Sequence, residues 1–448
     1  MPTFAIRNFG CRVNQAEAFA WADALQAGGL RLEPDWAKSD FLLVNSCSLT
    51  SQAERDVRKF LQRVRRENPG ARLVVTGCYV QRAAEEIGQG PQVSLILPNS
   101  GKSRLAEKVL SLMEKEAPVG GETSRVARGA AASFRSRALL KVQDGCDSAC
   151  AFCIIPSLRG KSVSVGPEEV LASVQKLAAQ GYREIVLAGI HLSSYGADLK
   201  PKGSLLGLLR KIEAVNAPVR LRLSSLDPRR TGESLVGHIA GNPRVCQHFH
   251  LSLQHASPRI LRRMGRPDGA ELYGSLLSGF RERSPEAALG ADVMVGFPEE
   301  TDGDFALLED FCRTSPLTYF HVFSYSPRPG TPAAKRPRVA GRVVKERSRV
   351  LRRLSAEKSG RFRASFLGKT LDGVVVRREG EGGEVLTGNY FQVRVPSCPA
   401  PKRETVRVRI TRVAAGALGP GTAGALASLR VLLRESPVAW AAYEAALA

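Results

Sequence analysis

Residues 141–156 read KVQDGCDSACAFCIIP and contain Cys146, Cys150 and Cys153 in the spacing CxxxCxxC. The apolar stretch ALLKV (138–142) directly before them predicts a strand, so the three cysteines fall in the loop at its carboxyl end. Barrels of alternating strands and helices place their chemistry at that end. Three thiolates can hold three irons of a 4Fe–4S cluster, whose usual complement is four cysteines, and the fourth iron is then open to bind and activate a ligand.

A zinc site is the alternative for the same thiols. Zinc normally requires a fourth Cys or His ligand nearby, and no such residue lies between Cys153 and the next predicted strand. The spacing, the position after a strand and the aromatic Phe152 before the last cysteine match the signature of the radical SAM superfamily, whose members use S-adenosylmethionine (SAM). The motif therefore favours an iron–sulfur cluster over zinc.

ALLKV begins a series in which strand candidates alternate with helical segments. The further candidates are EIVLAG, VRLRLSS, HFHLSL, ALGADVMVG and TYFHVFSY. Six such units predict a complete or partial β/α barrel, and we place this domain at residues 133–363.

The amino-terminal part of the chain shows the same alternation on a smaller scale. Strand candidates TFAIRNF, FLLVNS, RLVVTG and VSLIL are separated by amphipathic helical stretches. This pattern predicts a parallel sheet flanked by helices. The fold class is therefore α/β, with a first domain at residues 1–117 and a Pro/Gly/Glu-containing linker from about 118 to 132.

Three more cysteines follow strands of this first sheet: Cys11 after FAIRNFG, Cys47 after LLVNS and Cys78 after LVVTG. Ligands of open α/β sheets bind at the carboxyl edge. One cysteine in such a place would more often be a buried core thiol, but three in succession predict a second three-thiolate cluster. The remaining Cys246, Cys312 and Cys398 are scattered, and we expect buried structural thiols there.

The carboxyl-terminal region is basic and changes its pattern. Between Lys335 and Arg363 twelve Lys or Arg stand against two Glu, in a mostly helical pattern. This charge indicates either a solvated helix face or contact with phosphates. Short strands separated by glycines then predict a small β-barrel at 364–414, and residues 415–448 remain unassigned.

The net charge is +22, which indicates a polyanionic partner such as RNA. A GC-rich genome that favours arginine, or simple solubility, is the alternative explanation. The sequence shows neither a signal peptide nor an apolar run long enough to span a membrane. We therefore expect a cytoplasmic protein with no membrane partner, in whose reducing environment nine cysteines serve as ligands or free thiols rather than disulfides.

The chain resembles the methylthiotransferase family of radical SAM enzymes over nearly its whole length. The segments that carry the likeness are GCRVNQAEA, VNSCSLT, VTGCYVQ, DGCDSACAFCIIPSLRG, EIVLAGIHLSSYG, LRLSSLDP, HFHLSLQHASPRILRRMGRP, GADVMVGFPEETDGDF and FSYSPRPGTPAAK. The resemblance implies an amino-terminal methylthiotransferase domain, a radical SAM barrel and a carboxyl-terminal TRAM domain. It also implies two 4Fe–4S clusters and SAM. Cys146, Cys150 and Cys153 would bind the SAM-cleaving cluster, and Cys11, Cys47 and Cys78 the auxiliary cluster associated with the inserted sulfur.

Known branches of the family modify isopentenyladenosine in tRNA, threonylcarbamoyladenosine in tRNA, or an aspartate of a ribosomal protein. GCRVNQAEA, GIHLSSYG and LRLSSLDP are most similar to the threonylcarbamoyladenosine branch, which acts at position 37 in the tRNA anticodon loop. The resemblance implies radical attack on the base, methyl transfer from a second SAM and a partner protein as reductant. A different class, a non-catalytic zinc-stabilised RNA-binding protein, is the remaining alternative. FPEET stands where the family usually has FPGET, and the arginine-rich small barrel matches only loosely.

Several residues at predicted strand ends of the barrel are further candidates for binding SAM or substrate. Gly189 and Gly296 would let a cofactor approach, although a tight turn explains them equally. Polar candidates are Ser224, Ser225 and Gln254, which structural layers of the barrel could also explain. His191 also follows a strand end, where a lone histidine is more often structural.

Overall fold

The computed structural model describes residues 1–88, 93–114, 135–267 and 269–413, and the backbone of 427–432. The expected linker at 118–132 lies outside the described residues. The chain divides into two compact units. Unit 1 comprises Met1–Arg135, Gln143–Val163 and Ser326–Ala334; unit 2 comprises Ser136–Val142, Ser164–Tyr325 and Lys335–Ala448.

The amino-terminal part of unit 1 is a five-stranded parallel sheet in the order β2-β1-β3-β4-β5. Its strands are β1 (Thr3–Asn8), β2 (Arg31–Leu32), β3 (Phe41–Ser46), β4 (Arg72–Gly77) and β5 (Val93–Leu97). Its helices are α1 (Arg12–Ala27), α2 (Ser51–Glu67), α3 (Cys78–Gly88) and α4 (Leu105–Glu114). The predicted parallel α/β fold is confirmed, and β2 is a two-residue edge strand that the pattern did not show.

Helices cover both faces of this sheet, which explains its continuous apolar strands. On one face α1 and α4 bury Trp21 and Val109, and on the other α2 buries Val57 and Val64. Every residue of β3 is buried. Both faces are thus closed, and only the strand ends remain as places for chemistry.

The second alternating series forms the predicted β/α architecture as an open, partial barrel. Its strands are β6 (Ala138–Asp144), β7 (Val163–Ser164), β8 (Glu184–Gly189), β9 (Arg220–Leu223), β10 (His248–Gln254), β11 (Ala288–Val295) and β12 (Tyr319–Ser324). They lie in two sheets, β7-β6-β8-β9 and β10-β11-β12, which parallel bridges at Leu221–Val245 and Leu226–Leu251 connect. All six predicted strands are present.

Helices follow the strands as the alternation predicted. They are α5 (Ile155–Arg159), α6 (Pro167–Ala179), α7 (Leu205–Ala214), α8 (Glu233–Ile239), α9 (Pro258–Arg263), α10 (Ala270–Arg283), α11 (Asp302–Thr314) and the basic helix α12 (Gly341–Ala364). Phe249 on β10 stacks on Phe280 of α10 at 4.4 Å between ring centroids, and Ser355 of α12 bonds the backbone of Phe320. These residues mark the outer face of β10 and β12; because side chains alternate along a strand, His248, His250 and His321 lie on the inner face.

The carboxyl-terminal strands close into a small barrel in the order β13-β14-β15-β17-β16. They are β13 (Thr370–Glu379), β14 (Gly382–Thr387), β15 (Gln392–Val395), β16 (Thr405–Ile410) and β17 (Ala427–Leu432). The barrel that we ended at residue 414 therefore needs a correction, because its closing strand β17 lies in the segment left unassigned. That segment is rich in Gly and Ala and its strand is only six residues long, so its pairing with β15 and β16 is what reveals the strand.

Buried ion pairs hold this small barrel against the first residues of β8 and β9, within unit 2. Glu184 accepts from Arg222 at 2.7 Å and Arg220 at 2.9 Å. Arg222 also donates to the carbonyls of Thr387 at 2.9 Å and Gly388 at 3.1 Å. Although burial opposes ionisation, Arg222 and Arg220 keep the pKa of Glu184 well below its usual range. The small barrel thus docks at the amino ends of these strands, opposite the carboxyl ends where we expect the candidate site residues.

None of the described helices has both the length and the apolar composition needed to cross a bilayer.

Candidate functional site

Cys146, Cys150 and Cys153, here called the loop cysteines, lie between β6 and α5 in unit 1. The backbone N–H of Cys146 donates to the carbonyl of Gly160 at 3.1 Å. The backbone N–H of Cys153 donates to the carbonyl of Cys150 at 3.0 Å. The first bond ties the start of the loop to its return, and the second closes a turn between two cysteines. All three are partly exposed, so the loop presents its thiols to a ligand.

A buried glutamine and a glycine fix the path of this loop just before Cys146. Gln143 donates to the carbonyl of Gly145 and to Ser162 Oγ, both at 2.9 Å. Gly145 has φ +68°, and a Cβ there would stand 1.9 Å from the carbonyl oxygen of Lys161. Only glycine fits this approach of two backbone segments.

Cys11, Cys47 and Cys78, here called the sheet cysteines, come together at the carboxyl edge of the first sheet. Cys11 precedes α1, Cys47 directly follows β3, and Cys78 is the first residue of α3 after β4. Strands β1, β3 and β4 are neighbours. A Cβ on Gly10 would stand 2.7 Å from Cys47 Sγ, so the segment that carries Cys11 packs directly on Cys47.

The sheet cysteines are close enough to affect each other's ionisation. Burial is the main cause that raises the pKa of Cys11 and that raises the pKa of Cys47 to about 12, and the charge of Cys78 contributes to both increases. Without a bound cation these two thiols are protonated at neutral pH. Loading a metal centre here must therefore displace protons.

A buried cation adjoins the sheet cysteines. Arg159, the last residue of α5, donates to Asp144 at 2.7 Å, to Glu17 at 3.2 Å and to Asn14. Glu17 also accepts from the buried Lys102 at 2.6 Å. The charge of Arg159 favours the thiolate forms of Cys11 and Cys47.

The residues around the sheet cysteines fit a bound anionic iron–sulfur group. Arg159 Nε is buried and has no hydrogen-bond acceptor among the described residues. A buried N–H without an acceptor is rare in folded proteins, and cluster sulfur next to it would accept such a bond. Three thiols per set are also the donor type that such clusters require.

Two of the SAM-binding candidates in unit 2 lie on neighbouring strands. Gly189 ends β8, and its N–H donates to Oγ of Ser224, directly after β9, at 3.3 Å. Gln254 ends β10 with φ +71°. A non-glycine residue in this left-handed region is strained, and such strain clusters at functional sites. Ser225 is exposed.

Gly296 is explained by packing within unit 2. It has φ +71°, and a Cβ there would stand 2.4 Å from a methyl group of Val344 on α12. The glycine is therefore needed for a tight turn under this helix, and its contact with SAM stays a prediction.

His191 belongs to a polar cluster after β8 and β9 that the sequence did not reveal. Its Nδ1 bonds Ser194 Oγ at 2.9 Å, and its Nε2 lies 3.3 Å from Asp227 Oδ2. Asp227 also pairs with Arg229 and Arg266. Asp227 is the acidic residue of the LRLSSLDP segment, but only the fold brings its partners to it.

The segment FPEET, which stands where the family usually has FPGET, shows an unusual backbone conformation at its third residue. Glu299, at the position where the family usually has glycine, adopts φ +64°. Its carboxylate pairs with Arg263 and lies 3.6 Å from Arg336. The backbone thus keeps a conformation that glycine adopts easily, and the glutamate side chain that replaces glycine forms ion pairs.

Sequence reasoning missed Arg159, Glu17, Asn14 and Lys102. All but Lys102 lie inside the quoted segments GCRVNQAEA and DGCDSACAFCIIPSLRG, yet nothing in their spacing connects them. A buried Arg–Glu–Lys arrangement becomes visible only when α1 and α5 are placed together.

Two family models match the chain. Residues 3–98 match "Uncharacterized protein family UPF0004", and residues 140–312 match the "Radical SAM superfamily". Among solved structures, the radical SAM methyltransferase TsrM from Kitasatospora setae matches with a TM-score of 0.53 and 15% identity, covering 75% of this chain and 77% of that chain. At this identity the match supports the fold alone.

Relatives of similar length match nearly the whole chain. Threonylcarbamoyladenosine tRNA methylthiotransferase MtaB of Thermotoga maritima is 34% identical over 421 residues, covering 89% of this chain and 95% of its own. The Bacillus subtilis protein of that name is 31% identical over 426 residues, covering 92% and 94%. The tRNA-2-methylthio-N(6)-dimethylallyladenosine synthase of Pelotomaculum thermopropionicum is 34% identical over 402 residues, covering 87% and 90%. The chain therefore belongs to the radical SAM methylthiotransferase family.

Proposed function

We propose that this protein is a tRNA methylthiotransferase that places a methylthio group on C2 of N6-threonylcarbamoyladenosine at position 37, using SAM. The observation that carries the proposal is the presence of two three-cysteine sets in unit 1, one in a loop after β6 and one at a sheet edge. A chain that only bound RNA would need neither set. The relatives named for this reaction support the choice of substrate.

The loop cysteines would hold the cluster that binds SAM, and the sheet cysteines would hold the auxiliary cluster. When bound, these groups supply the radical and sulfur chemistry that opens a carbon–hydrogen bond lacking useful acidity. The protein's own task is placement. Gln143 and Gly145 fix the loop before Cys146, and Arg159 sets the charge beside the sheet cysteines.

Gly189, Ser224, Gln254 and Gly296 are proposed to border SAM at the carboxyl ends of the barrel strands, where such barrels bind their ligands. The strained backbone of Gln254 supports this assignment. The strand-linking bond between Gly189 and Ser224 would keep their positions fixed.

Contact with the anticodon loop is proposed for α12 and the small barrel, which we infer to be the TRAM domain. Along one side of α12 the exposed cations Arg342, Lys345, Arg349 and Arg352 recur at helical spacing. Arg347 is an exception within the basic segment, because it is buried and pairs with Glu300 at 2.7 Å. Position 37 lies in a single-stranded loop, the kind of RNA target that proteins usually recognise.

A reductant protein is the other expected partner, since cleavage of SAM requires an electron. We infer a cytoplasmic location, where thiols stay reduced.

Isopentenyladenosine, also called dimethylallyladenosine, is the second candidate substrate, because a relative named for that reaction is also 34% identical. A ribosomal aspartate is the third, within the same chemistry.

A mass-spectrometric survey of tRNA nucleosides from cells with and without the gene separates these candidates. We expect loss of methylthio-threonylcarbamoyladenosine alone, with its precursor accumulating. Loss of the methylthio-dimethylallyl nucleoside instead would reassign the substrate, and unchanged nucleosides would exclude a tRNA target. A strain expressing Cys146→Ala serves as the matched control, because it keeps the protein but removes a loop cysteine.

A further inference from the structure

Three ligand-bearing side chains meet on the inner face of β10, β11 and β12, in unit 2. His250 Nε2 lies 3.0 Å from Asp292 Oδ1, and His321 Nδ1 lies 3.3 Å from the same oxygen. One atom from each of the three side chains lies within 4.8 Å of the other two. Nothing in the proposed reaction uses this cluster.

We propose that His250, Asp292 and His321 bind a divalent transition-metal cation of the zinc type. Two imidazoles and one carboxylate form a common three-residue ligand set for zinc and for ferrous iron, with further positions open to water or a ligand. Zinc bonds of about 2.0–2.2 Å in tetrahedral geometry put ligand atoms about 3.4 Å apart. The two observed separations from Asp292 need to change by only a few tenths of an ångström.

His250 also has the hydrogen bond at its second ring nitrogen that is typical of metal-binding histidines. His250 uses its other ring nitrogen, Nδ1, to bond Tyr319 Oη at 3.1 Å, and Tyr319 Oη bonds His248 Nε2 at 2.7 Å. A hydrogen bond to the second nitrogen fixes the orientation and tautomer of a ligating histidine. His248 in turn stacks on Tyr390 of the small barrel, with 4.5 Å between ring centroids.

A glycine on the middle strand, β11, makes room for the rings of His250 and Tyr319. A Cβ on Gly290 would stand 2.4 Å from Tyr319 Oη and 2.8 Å from His250 Nδ1. Glycine is therefore required where β11 passes between the two rings.

Exposure gives a cation access from one side. The side chain of His250 is 8% exposed, that of Asp292 is 23% exposed and that of His321 is 41% exposed. The site is thus closed toward His250 and open toward His321. In the absence of a cation, ring N–H groups donate to Asp292; a cation would replace those protons.

Zinc binding to the cluster-loaded enzyme tests the proposal independently of the RNA reaction. Enzyme with its full iron content is equilibrated with Zn²⁺, and zinc and iron are measured by mass spectrometry after gel filtration. We expect one equivalent of zinc with unchanged iron. Asp292→Asn and His321→Ala should abolish that equivalent, and Tyr319→Phe should weaken it about 10- to 100-fold.

His238→Ala is the matched control, since His238 also pairs with a carboxylate, Glu213, but has no third ligand among the residues that the structure describes. It should bind zinc like the unaltered enzyme. Iron content and thermal melting of each variant identify any that fail to fold, and Asp292→Asn keeps the shape of the side chain. Equal zinc in all variants, or no zinc retained by the unaltered enzyme, would overturn the proposal. Neither result would bear on the tRNA reaction, so the two proposals fail separately.

Discussion

Arg159 donates two hydrogen bonds to the carboxylate of Asp144, at 2.7 and 3.0 Å. Asp144 stands two residues before Cys146. Glu17, the other carboxylate that Arg159 bonds, lies on α1, the helix that begins directly after Cys11. One buried guanidinium thus connects the segments that carry the loop cysteines and the sheet cysteines. Because removing one partner of a buried ion network leaves uncompensated charge, Arg159 is a sensitive position.

Replacing Arg159 by Met should weaken the site of the sheet cysteines. The buried Glu17 and Asp144 would lose their shared cation, and a bound anionic cluster would lose a neighbouring positive charge. We expect reconstituted protein with about four irons rather than about eight, measured together with sulfide and electron paramagnetic resonance. Arg159→Lys keeps the charge and should retain more iron; full iron and unaltered spectra in Arg159→Met would contradict this role.

The two cysteine sets should differ in the activity that they control. Changing any loop cysteine to Ala should abolish SAM cleavage, because that set would bind the SAM-cleaving cluster. Changing any sheet cysteine should spare some SAM cleavage but stop methylthiolation. Production of 5′-deoxyadenosine and of the methylthio nucleoside are measured separately. Cys398→Ala, a buried thiol of the small barrel, is the control and should keep both; full activity in any of the six variants would refute the two-cluster assignment.

Glu299 offers a test of backbone strain. Glu299→Ala loses the ion pairs and keeps a left-handed backbone, whereas Glu299→Gly loses the same pairs and relaxes the backbone. The left-handed conformation costs a non-glycine residue about 1–2 kcal/mol. We expect the Gly variant to exceed the Ala variant in free energy of unfolding by about 1 kcal/mol, measured by chemical denaturation. Equal stability of the two would show that this backbone stores no strain.

His255 should make the protein sensitive to mild acid. Burial lowers the pKa of His255 to about 4 from the ordinary 6.5, and its Nδ1 accepts from the N–H of Ser257 at 2.9 Å. The unfolded chain therefore takes up a proton between pH 6.5 and 4 that the folded chain refuses, so stability falls as pH falls through that range, by up to about 3 kcal/mol. Melting temperatures should drop more steeply with acidification in the unaltered protein than in His255→Gln. Parallel pH profiles would argue against a neutral buried histidine.

Periodicity was enough to predict most of the fold. Strands β1, β3, β4 and β5 and the six long barrel strands follow apolar runs that alternate with amphipathic helices, and these patterns need no long-range information. The small barrel was harder to predict to its end, because β17 is a six-residue strand within a segment rich in Gly and Ala, and its place in the barrel depends on pairing with β15 and β16.

The candidate site, like the fold, was predictable from the sequence only in part. The sequence by itself determined both cysteine sets, since each thiol follows a recognisable strand and strand ends share an edge. It could not determine the charge around them, because Arg159, Glu17 and Lys102 are separated by 57 to 142 positions and meet only in the folded chain. The tertiary structure alone likewise joined His250, Asp292 and His321, which share no local motif and become neighbours through the register of three parallel strands. Local patterns encode which face a residue takes, whereas pairing between distant segments decides which residues face one another.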